Sequence, residues 1–444
     1  MSLEPANPLA VDPLLDDPET RIVVCCGSGG VGKTTTAAAL GLRAAERGRR
    51  VVVLTIDPAR RLAQSMGIDS LDNVPRQVPG IEGKGELHAM MLDMKRTFDE
   101  IVEAHADPER ARAILENPFY QSLSAGFAGT QEYMAMEKLG QLRATDAWDL
   151  IVVDTPPSRS ALDFLDAPKR LGSFLDGKLI RLLMAPAKVG GRAGMKFLNA
   201  GMSMMTGVLG KLLGGQLLRD VQTFVAAMDS MFGGFRTRAD ATFQLLQAPG
   251  TAFLVVAAPE RDALREAAYF VERLGAEKMP LAGLVLNRVH SSGAAQLSAE
   301  QALAAAENLG GGGIVDQPPG KAGLVGNSAP EAATDRATSS GPGSPADQDG
   351  VRADTASGAE QEKDADEEVP VPVEELTAGL LRLHAERMRL LAREQRTRDR
   401  FTARHPEVPV AEVPALPGDV HDLAGLRAIG TYLAEAGTGP SDET

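Results

Sequence analysis

The chain has 444 residues, 43% of them hydrophobic, and a formal net charge of −14. This length allows a large core with an accessory region. An acidic surface repels the phosphates of DNA and RNA, so we expect no nucleic-acid partner. Residues 1–20 are acidic, contain proline and lack a basic region followed by an apolar run, which predicts a flexible tail without a secretory signal. No apolar run reaches the roughly 18 residues of a membrane span. We therefore expect a cytoplasmic protein with no transmembrane segment and at most peripheral membrane association.

The first predicted strand, Ile22–Cys26, leads into a glycine-rich loop. The loop reads Gly27-Ser28-Gly29-Gly30-Val31-Gly32-Lys33-Thr34 and is followed by Thr35. It fits the pattern G-x-x-x-x-G-K-[ST], in which successive backbone N–H groups and a helix N-terminus bind a phosphate. Lys33 is placed to reach the β- and γ-phosphates and Thr34 to hold Mg²⁺. The stretch from Gly27 to Thr35 therefore predicts a binding site for ATP and Mg²⁺.

Strands and helices then alternate. After a helix that ends near Gly48, we expect strands over 50–57 and 86–93, helices over 95–116 and 131–145, and an apolar strand that ends at Asp154. Short links between strand, helix and strand favour a parallel sheet. Cys25 and Cys26 are neighbours on the first strand, point to opposite faces and are expected to be buried core residues.

The composition and the predicted secondary structure of the chain change at about residue 169. Residues 169–248 are helical in pattern and hold seven of the chain's 16 methionines. Such side chains suit a surface for varied apolar partners, but they equally suit the core of a helical subdomain. Strands over 251–258 and 281–287 enclose a helix over 261–274, so the sheet resumes there.

Residues 291–370 contain no Phe, Tyr or Trp, and we expect a mostly disordered insertion with a short helix near 297–306. A helix over 373–404, a strand over 408–413 and a helix over 420–436 complete the predicted elements. The predicted segments are a tail (1–20), the first part of the NTPase core (21–168), a Met-rich helical subdomain (169–248), the second part of the core (249–290), the insertion (291–370), a C-terminal helix with the final strand and helix (371–437), and an acidic tail (438–444). The predicted fold class is α/β, a mostly parallel P-loop NTPase sheet with helices on both faces and the Met-rich subdomain inserted in it.

Five stretches, in this order, resemble the ArsA/Get3 family of P-loop ATPases, a deviant Walker A class that includes anion-transporting, arsenical-pump-driving ATPases. They are the loop at 27–34, Thr55-Ile56-Asp57-Pro58-Ala59-Arg60-Arg61-Leu62, Asp154-Thr155-Pro156-Pro157-Ser158 through Leu165, Leu286-Asn287, and Glu412-Val413-Pro414-Ala415-Leu416-Pro417. We expect a bacterial member of this family.

The resemblance implies roles for residues beyond the loop. Asp57 would orient or deprotonate the attacking water, and Asp154 would support Mg²⁺. Asn287 would lie on the adenine side, with Pro414 and Leu416 as a wall for the base. From the residues alone, both aspartates could instead cap helices, since Asp57 precedes a proline, and Asn287 could be a plain loop amide. With the roles that the resemblance implies, catalysis would rest on Asp57 and Lys33, through positioning and charge neutralisation.

Two features depart from the family pattern. Ser28 stands where the family carries a signature lysine, so the missing cation would come from Arg60, Arg61 or a paired homologous subunit, or hydrolysis would be slow. The C-x-x-C that forms a zinc clip in eukaryotic members is absent.

We expect a nucleotide-switched ATPase dimer, homomeric or with an ArsA/Get3-like subunit, that acts on a hydrophobic client protein. The alternative is a regulatory or scaffold subunit with little turnover, paired with a homologue that carries the lysine. A spatial-positioning ATPase is disfavoured because residues 437–444 are acidic rather than a basic amphipathic helix. Metalloid pumping is disfavoured because the Met-rich region has no cysteine.

Overall fold

The structure is a computed structural model that describes residues 7–56, 61–123, 130–156, 220, 224, 234, 237–310 and 372–435. Within this part of the chain, the strands are β1 (Ile22–Cys26), β2 (Arg50–Thr55), β3 (Arg76–Gln77), β4 (Glu86–Met91), β5 (Leu150–Asp154), β6 (Thr251–Ala257), β7 (Leu281–Val289) and β8 (Val410–Pro414). The helices are α1 (Val11–Asp16), α2 (Lys33–Glu46), α3 (Arg61–Ser65), α4 (Met94–His105), α5 (Pro108–Leu115), α6 (Pro118–Leu123), α7 (Thr130–Ala144), α8 (237–247), α9 (Arg261–Ala276), α10 (Ala299–Gly310), α11 (Val373–Arg404) and α12 (Leu423–Glu435). Most of the predicted Met-rich subdomain and of the predicted 291–370 insertion lies outside the described residues.

The described strands form one sheet in the order β3-β4-β2-β5-β1-β6-β7-β8. All neighbouring pairs are parallel except β3 with β4. Strand β5 lies between β1 and β2, in a register that pairs Asp154 with Cys25 on one side and with Thr55 on the other. The phosphate loop follows β1, so it lies at the carboxyl edge of the sheet, where α/β folds bind ligands. This arrangement confirms the predicted α/β fold with a mostly parallel sheet.

The two faces of the sheet carry separate hydrophobic cores. Cys26 belongs to one core with Leu139 of α7 and Phe270 of α9. Cys25 belongs to the other core, with Leu40 of α2 and Leu426 of α12. Because neighbouring residues of a strand point to opposite faces, each cysteine is enclosed by a different set of helices. Helices therefore cover both faces, as predicted, and both cysteines are buried.

The N-terminal segment differs from its prediction. Residues 1–20 were expected to form a flexible tail, but the chain from residue 7 onward packs on the sheet. The Leu9 N–H donates to Val410 O at 3.1 Å, and Leu9, Val11 and Leu15 are buried. The Asp12 carboxylate accepts two hydrogen bonds, at 2.5 and 2.7 Å, from Arg43 of α2. These contacts make residues 7–16 part of the core.

The helix predicted over 95–116 is two helices. Helix α4 ends at His105, and α5 begins at Pro108 with Asp107 as its N-cap, whose carboxylate accepts from the Arg110 N–H at 3.0 Å. Proline cannot donate within a helix but fits its first turn, so the pair Asp107-Pro108 ends one helix and begins the next. The other predicted elements that lie in the described ranges are present, with ends shifted by a few residues.

The described residues divide into two compact units, one up to Gly293 and from Leu390 onward, and one between Ala294 and Arg389. The second unit includes α10, which is longer than the short helix predicted near 297–306. Within it, the His384 ring Nε2 lies 2.8 Å from Leu297 O. None of the helices in the described ranges is both long enough and apolar enough to cross a membrane.

Candidate functional site

The glycines of the phosphate loop are required by its backbone. Gly27, Gly30 and Gly32 have φ angles of +153°, +77° and +96°, a region that side chains with a Cβ rarely adopt. A Cβ on Gly27 would lie 2.1 Å from Val256 O, and one on Gly32 would lie 2.2 Å from Asn287 Nδ2. The loop is thus packed against β6 and β7 on its inner side. Ser28, Gly29 and the buried Val31 complete it.

Helix α2 begins directly after the loop. Its N-cap is Gly32, so no side chain from this position satisfies the first backbone N–H groups. Uncapped N–H groups and the positive end of the helix dipole favour an anion at this end. Thr34 and Thr35 lie in this first turn. The start of α2 therefore has the electrostatic character of a phosphate site.

Lys33 is largely buried, with 6% of its surface exposed. Its Nζ donates to Ser28 O at 2.8 Å, so the side chain folds back across the loop. The ammonium group is therefore held at the loop rather than in solvent, in a place where a phosphate oxygen could replace the carbonyl as acceptor.

Asp154 is fully buried at the end of β5. Its Oδ2 accepts hydrogen bonds from Thr34 Oγ1 at 2.7 Å and from Thr55 Oγ1 at 2.9 Å. The Thr34 contact links strand β5 to the first turn of α2, as expected from the position of Asp154 at a strand end beside the loop. The Thr55 contact was not predicted, although Thr55 also ends a buried strand.

The donors around Thr34 fit a hard cation. Hydroxyl and carboxylate oxygens are the ligands that Mg²⁺ prefers, and it usually binds through one or two protein oxygens together with substrate phosphates and water. No group of three or more His, Cys, Asp or Glu that could hold a metal is found among the described residues. The oxygens of Thr34 and Asp154 thus fit a magnesium ion that binds together with a nucleotide.

The segment after β2 leads toward the predicted catalytic aspartate. Ile56 is 2% exposed, its N–H donates to Asp154 O at 3.0 Å, and its C=O accepts from Gln131 Nε2 of α7 at 2.9 Å. Asp57 and Arg60, two residues predicted for the site, lie outside the described residues, and Arg61 begins α3. Gln131 was not predicted; a long-range contact of this kind leaves no local pattern in the sequence.

The predicted adenine-side residues lie at the ends of β7 and β8. Asn287 is buried, and its Nδ2 donates to Val31 O at 2.9 Å. The Asn287 amide on β7 therefore holds the phosphate loop at Val31. Pro414 ends β8 opposite Val289, next to a hydrogen bond from the Ala415 N–H to Val289 O at 2.9 Å. Leu416 follows and packs partly buried against the core that contains Cys25.

The two cysteines next to the loop are chemically inert in this environment. Burial raises the pKa of the Cys26 thiol to about 12, against a smaller opposing effect of Lys33. Burial, and then the charge of Asp154, raises the pKa of Cys25 well above its usual value. A thiol that stays protonated is a poor nucleophile and a poor metal ligand.

The amino-acid sequence was compared with those of known proteins. Residues 20–304 match the sequence profile of a family described as anion-transporting ATPases (ArsA). Similar proteins include the ATPase GET3 of Malassezia globosa, 29% identical over 174 residues, which are 39% of this chain and 50% of that protein. The ATPase GET3 of Podospora anserina is 27% identical over 282 residues, which are 62% of this chain and 75% of that protein. The ATPase GET3 of Ajellomyces dermatitidis is 27% identical over 291 residues, which are 65% and 77% of the two chains.

These alignments differ in extent. The chain spans 50% of the length of the first of these relatives and 75% and 77% of the other two. The family profile covers β1 through β7 and the first half of α10, and so includes the phosphate loop, Asp154 and Asn287. With residues 20–304 matched, well over half of its 444 residues, the chain belongs to the ArsA family of anion-transporting ATPases.

Proposed function

We propose that this chain binds Mg²⁺-ATP at the phosphate loop and hydrolyses it to ADP and phosphate. One observation supports this most directly: the Thr34 hydroxyl, in the first turn of α2, lies 2.7 Å from the buried Asp154 carboxylate. Two oxygen donors are thereby brought together beside an uncapped helix N-terminus and the Lys33 ammonium group. This combination of charges suits a nucleoside triphosphate with its magnesium ion.

Each part of the site would have its own role in the binding and hydrolysis of ATP. The loop from Gly27 to Gly32 and the N-terminus of α2 would bind the phosphates through backbone N–H groups, with Thr35 in the same turn. Lys33 would exchange its contact with Ser28 O for the β- and γ-phosphate oxygens and neutralise their charge. Thr34 and Asp154 would hold Mg²⁺, which supplies charge neutralisation across the phosphates when bound. Asp57 would orient the attacking water. Asn287 would keep the loop in shape, with Pro414 and Leu416 next to the base.

Steady-state ATP hydrolysis of the purified chain tests this proposal. Lys33→Met keeps the length of the side chain and removes its charge, so ATP affinity and turnover should both fall. Lys84→Met changes an exposed lysine in the same way and is the matched control, with turnover unchanged. Asp57→Asn should retain ATP binding and lose turnover by a factor of about 10² or more, as expected for a residue that positions or activates the nucleophile. Equal turnover in all four proteins would refute the assignment of the site.

We further propose that the nucleotide switches a dimer that acts on a hydrophobic client protein. This rests on family membership and on the methionine content of 169–248, most of which lies outside the described residues. Light scattering during size-exclusion chromatography, with ADP and with a non-hydrolysable ATP analogue, tests for the dimer. Photo-cross-linking from positions in 169–248 tests for the client, and recovery of no apolar segment would refute the client role.

Ser28 supports a second candidate function, a subunit that binds ATP but depends on a partner for turnover. A serine hydroxyl cannot supply the charge of the family's signature lysine at this position. Ser28→Lys separates the two possibilities. A large gain in turnover would indicate that the chain lacks this cation on its own, whereas full activity of the unmodified homodimer would exclude the regulatory role.

A further inference from the structure

Both backbone polar groups of Ile56 are held in place. Its N–H donates to Asp154 O at 3.0 Å, and its C=O accepts from the side-chain amide of Gln131 at 2.9 Å. The residue is 2% exposed, so water competes little for either group. The last described residue before Asp57 is therefore fixed from two sides, once by the strand that carries Asp154 and once by helix α7.

The contact from Gln131 has a consequence for the next residue. A carbonyl oxygen and the N–H that follows it lie in one planar peptide unit. A hydrogen bond to the Ile56 oxygen therefore restricts the rotation of the peptide that joins Ile56 to Asp57. Rotation of this plane would redirect the chain at the residue to which we assign the attacking water.

We propose that Gln131 is a positioning residue for hydrolysis, which acts by holding the peptide that joins Ile56 to Asp57. This inference rests on the proposed function. Gln131 acts through the backbone and does not itself touch the nucleotide. Its contribution should appear in the rate of the chemical step and not in the affinity for ATP, because misplacement of a reacting group by about 1 Å can cost a factor of 10² in rate.

Helix α7 is anchored well enough for this role. The buried Tyr133 donates through its hydroxyl to Glu137 Oε2 at 2.9 Å, and Arg238 of α8 donates to Glu137 Oε1 at 2.5 Å. Lys138 Nζ pairs with Glu100 of α4 at 2.9 Å. These two ion pairs join α7 to α8 and to α4. Gln131 therefore reaches toward Ile56 from a helix that the core holds in place.

The alternative is that Gln131 simply satisfies a buried carbonyl group, as most buried polar groups are satisfied. The experiment must distinguish a contact that only stabilises the fold from one that also supports the role of Asp57 in hydrolysis. Gln131→Ala removes the donor. Gln131→Glu keeps the shape but replaces the donor by a carboxylate, which only accepts and is repelled by the carbonyl oxygen. Gln141→Ala is the matched control, because Gln141 lies on the same helix and no hydrogen bond of its side chain to a described residue is seen.

Single-turnover hydrolysis with enzyme in excess over ATP reports the chemical step, and a fluorescent ATP analogue reports affinity. We expect Gln131→Ala and Gln131→Glu to lower the single-turnover rate by about 10- to 100-fold and to leave ATP affinity within about twofold. Gln141→Ala should change neither quantity. Thermal unfolding identifies a variant that fails to fold, and Gln131→Glu then serves in place of Gln131→Ala.

A double-mutant cycle with Asp57→Asn is decisive. If Gln131 acts through Asp57, Gln131→Ala should cause no further loss of rate in the Asp57→Asn background, because residues that act as a unit are not additive. Independent, multiplying losses would overturn the inference. Loss of turnover in Asp57→Asn with normal turnover in Gln131→Ala would overturn the inference and leave the proposed function standing. No turnover in the unmodified chain, alone or with a partner, would overturn both.

Discussion

Gly32→Ala introduces two separate costs at the start of α2. The first is conformational: Gly32 has a φ of +96°, and an L-residue in this left-handed region costs about 1–2 kcal/mol. The second is steric, because the new Cβ would lie 2.2 Å from Asn287 Nδ2. The Asn287 side chain must then give up its 2.9 Å hydrogen bond to Val31 O, and an unsatisfied buried polar group costs about 1–3 kcal/mol. The free energy of unfolding should therefore fall by about 2–5 kcal/mol.

Urea unfolding without nucleotide measures this loss, with helical circular dichroism and the fluorescence of Trp148, the single tryptophan, as two probes. Two alanine variants are the controls. Gly30 has a φ of +77° with no atom within 4 Å of an added Cβ, so Gly30→Ala should lose the conformational part alone, about 1–2 kcal/mol. Gly275 lies in α9 with open space beside it, and Gly275→Ala should gain roughly 0.5–1 kcal/mol.

Two comparisons are decisive: Gly32→Ala with Gly30→Ala, and Gly32→Ala with and without Asn287→Ala. Asn287→Ala removes the clashing amide, so Gly32→Ala should cost less in that background than in the unmodified chain, by about 1–2 kcal/mol. A loss for Gly32→Ala equal to that for Gly30→Ala, or strict additivity with Asn287→Ala, would refute the argument that Asn287 closes the space beside Gly32.

Three further predictions follow from contacts at the sheet edge and at the N-terminal segment. Thr55→Val removes a hydroxyl that donates to a buried carboxylate at 2.9 Å, and should lower the free energy of unfolding by about 1.5–3 kcal/mol in urea; an unchanged midpoint would contradict this. Because burial raises the pKa of Cys26 to about 12, the native protein should resist iodoacetamide at about pH 8 and react once unfolded; mass spectrometry decides, and native labelling of this thiol would refute its burial. The Arg43 hydrogen bond lowers the pKa of Asp12 below its usual 3.8, so the stabilisation is present above that value and is lost as the pH falls through the lower pKa of the folded state. Asp12→Asn should thus be less stable than the unmodified chain near neutral pH and converge with it in acid; a difference that stays constant with pH would contradict this origin.

The proximity of the loop and Asp154 could be predicted from the sequence because both signals are local. The loop from Gly27 to Thr34 is a continuous pattern between a strand and a helix, and a carboxylate at the end of a buried strand, such as Asp154, is a local signal too. Parallel strands bring such residues to one edge of the sheet whatever their separation in the chain. Asp154 was therefore expected near the loop, and the structure places it 2.7 Å from Thr34.

Contacts that depend on strand order could not be predicted in this way. Thr55 meets Asp154 because β2 is the neighbour of β5, and no pattern in the sequence specifies this neighbour. Gln131 meets Ile56 across 75 positions of the chain. Each residue on its own is an ordinary polar side chain at the end of an element, so sequence reasoning had no reason to select it.

The N-terminal segment was missed for a related reason. Leu9, Val11 and Leu15 are too few and too close to the start of the chain to show a period, and the acidic residues between them suggest a solvated tail. Their burial depends on α2 and β8, which supply Arg43 as the partner of Asp12 and the edge at Val410. The Asp107-Pro108 break is, in contrast, a local signal, an N-cap followed by a proline, and the prediction of a single helix over 95–116 overlooked it.

The central position of β5 explains how one carboxylate can serve both the loop and β2. Strand β5 pairs with β1 on one side and β2 on the other, so the Asp154 side chain lies between the strand that leads to the loop and the strand that leads to Asp57. The hydroxyls of Thr34 and Thr55 donate to the same oxygen of this carboxylate, at 2.7 and 2.9 Å. A ligand that draws the Thr34 hydroxyl away would remove one of the hydrogen bonds to this oxygen. The hydrogen bond from Thr55, which holds the end of β2, would then change in strength. Since hydrogen bonds that share an acceptor influence one another in a buried site, the phosphate loop and the strand end before Asp57 belong to one hydrogen-bonded group.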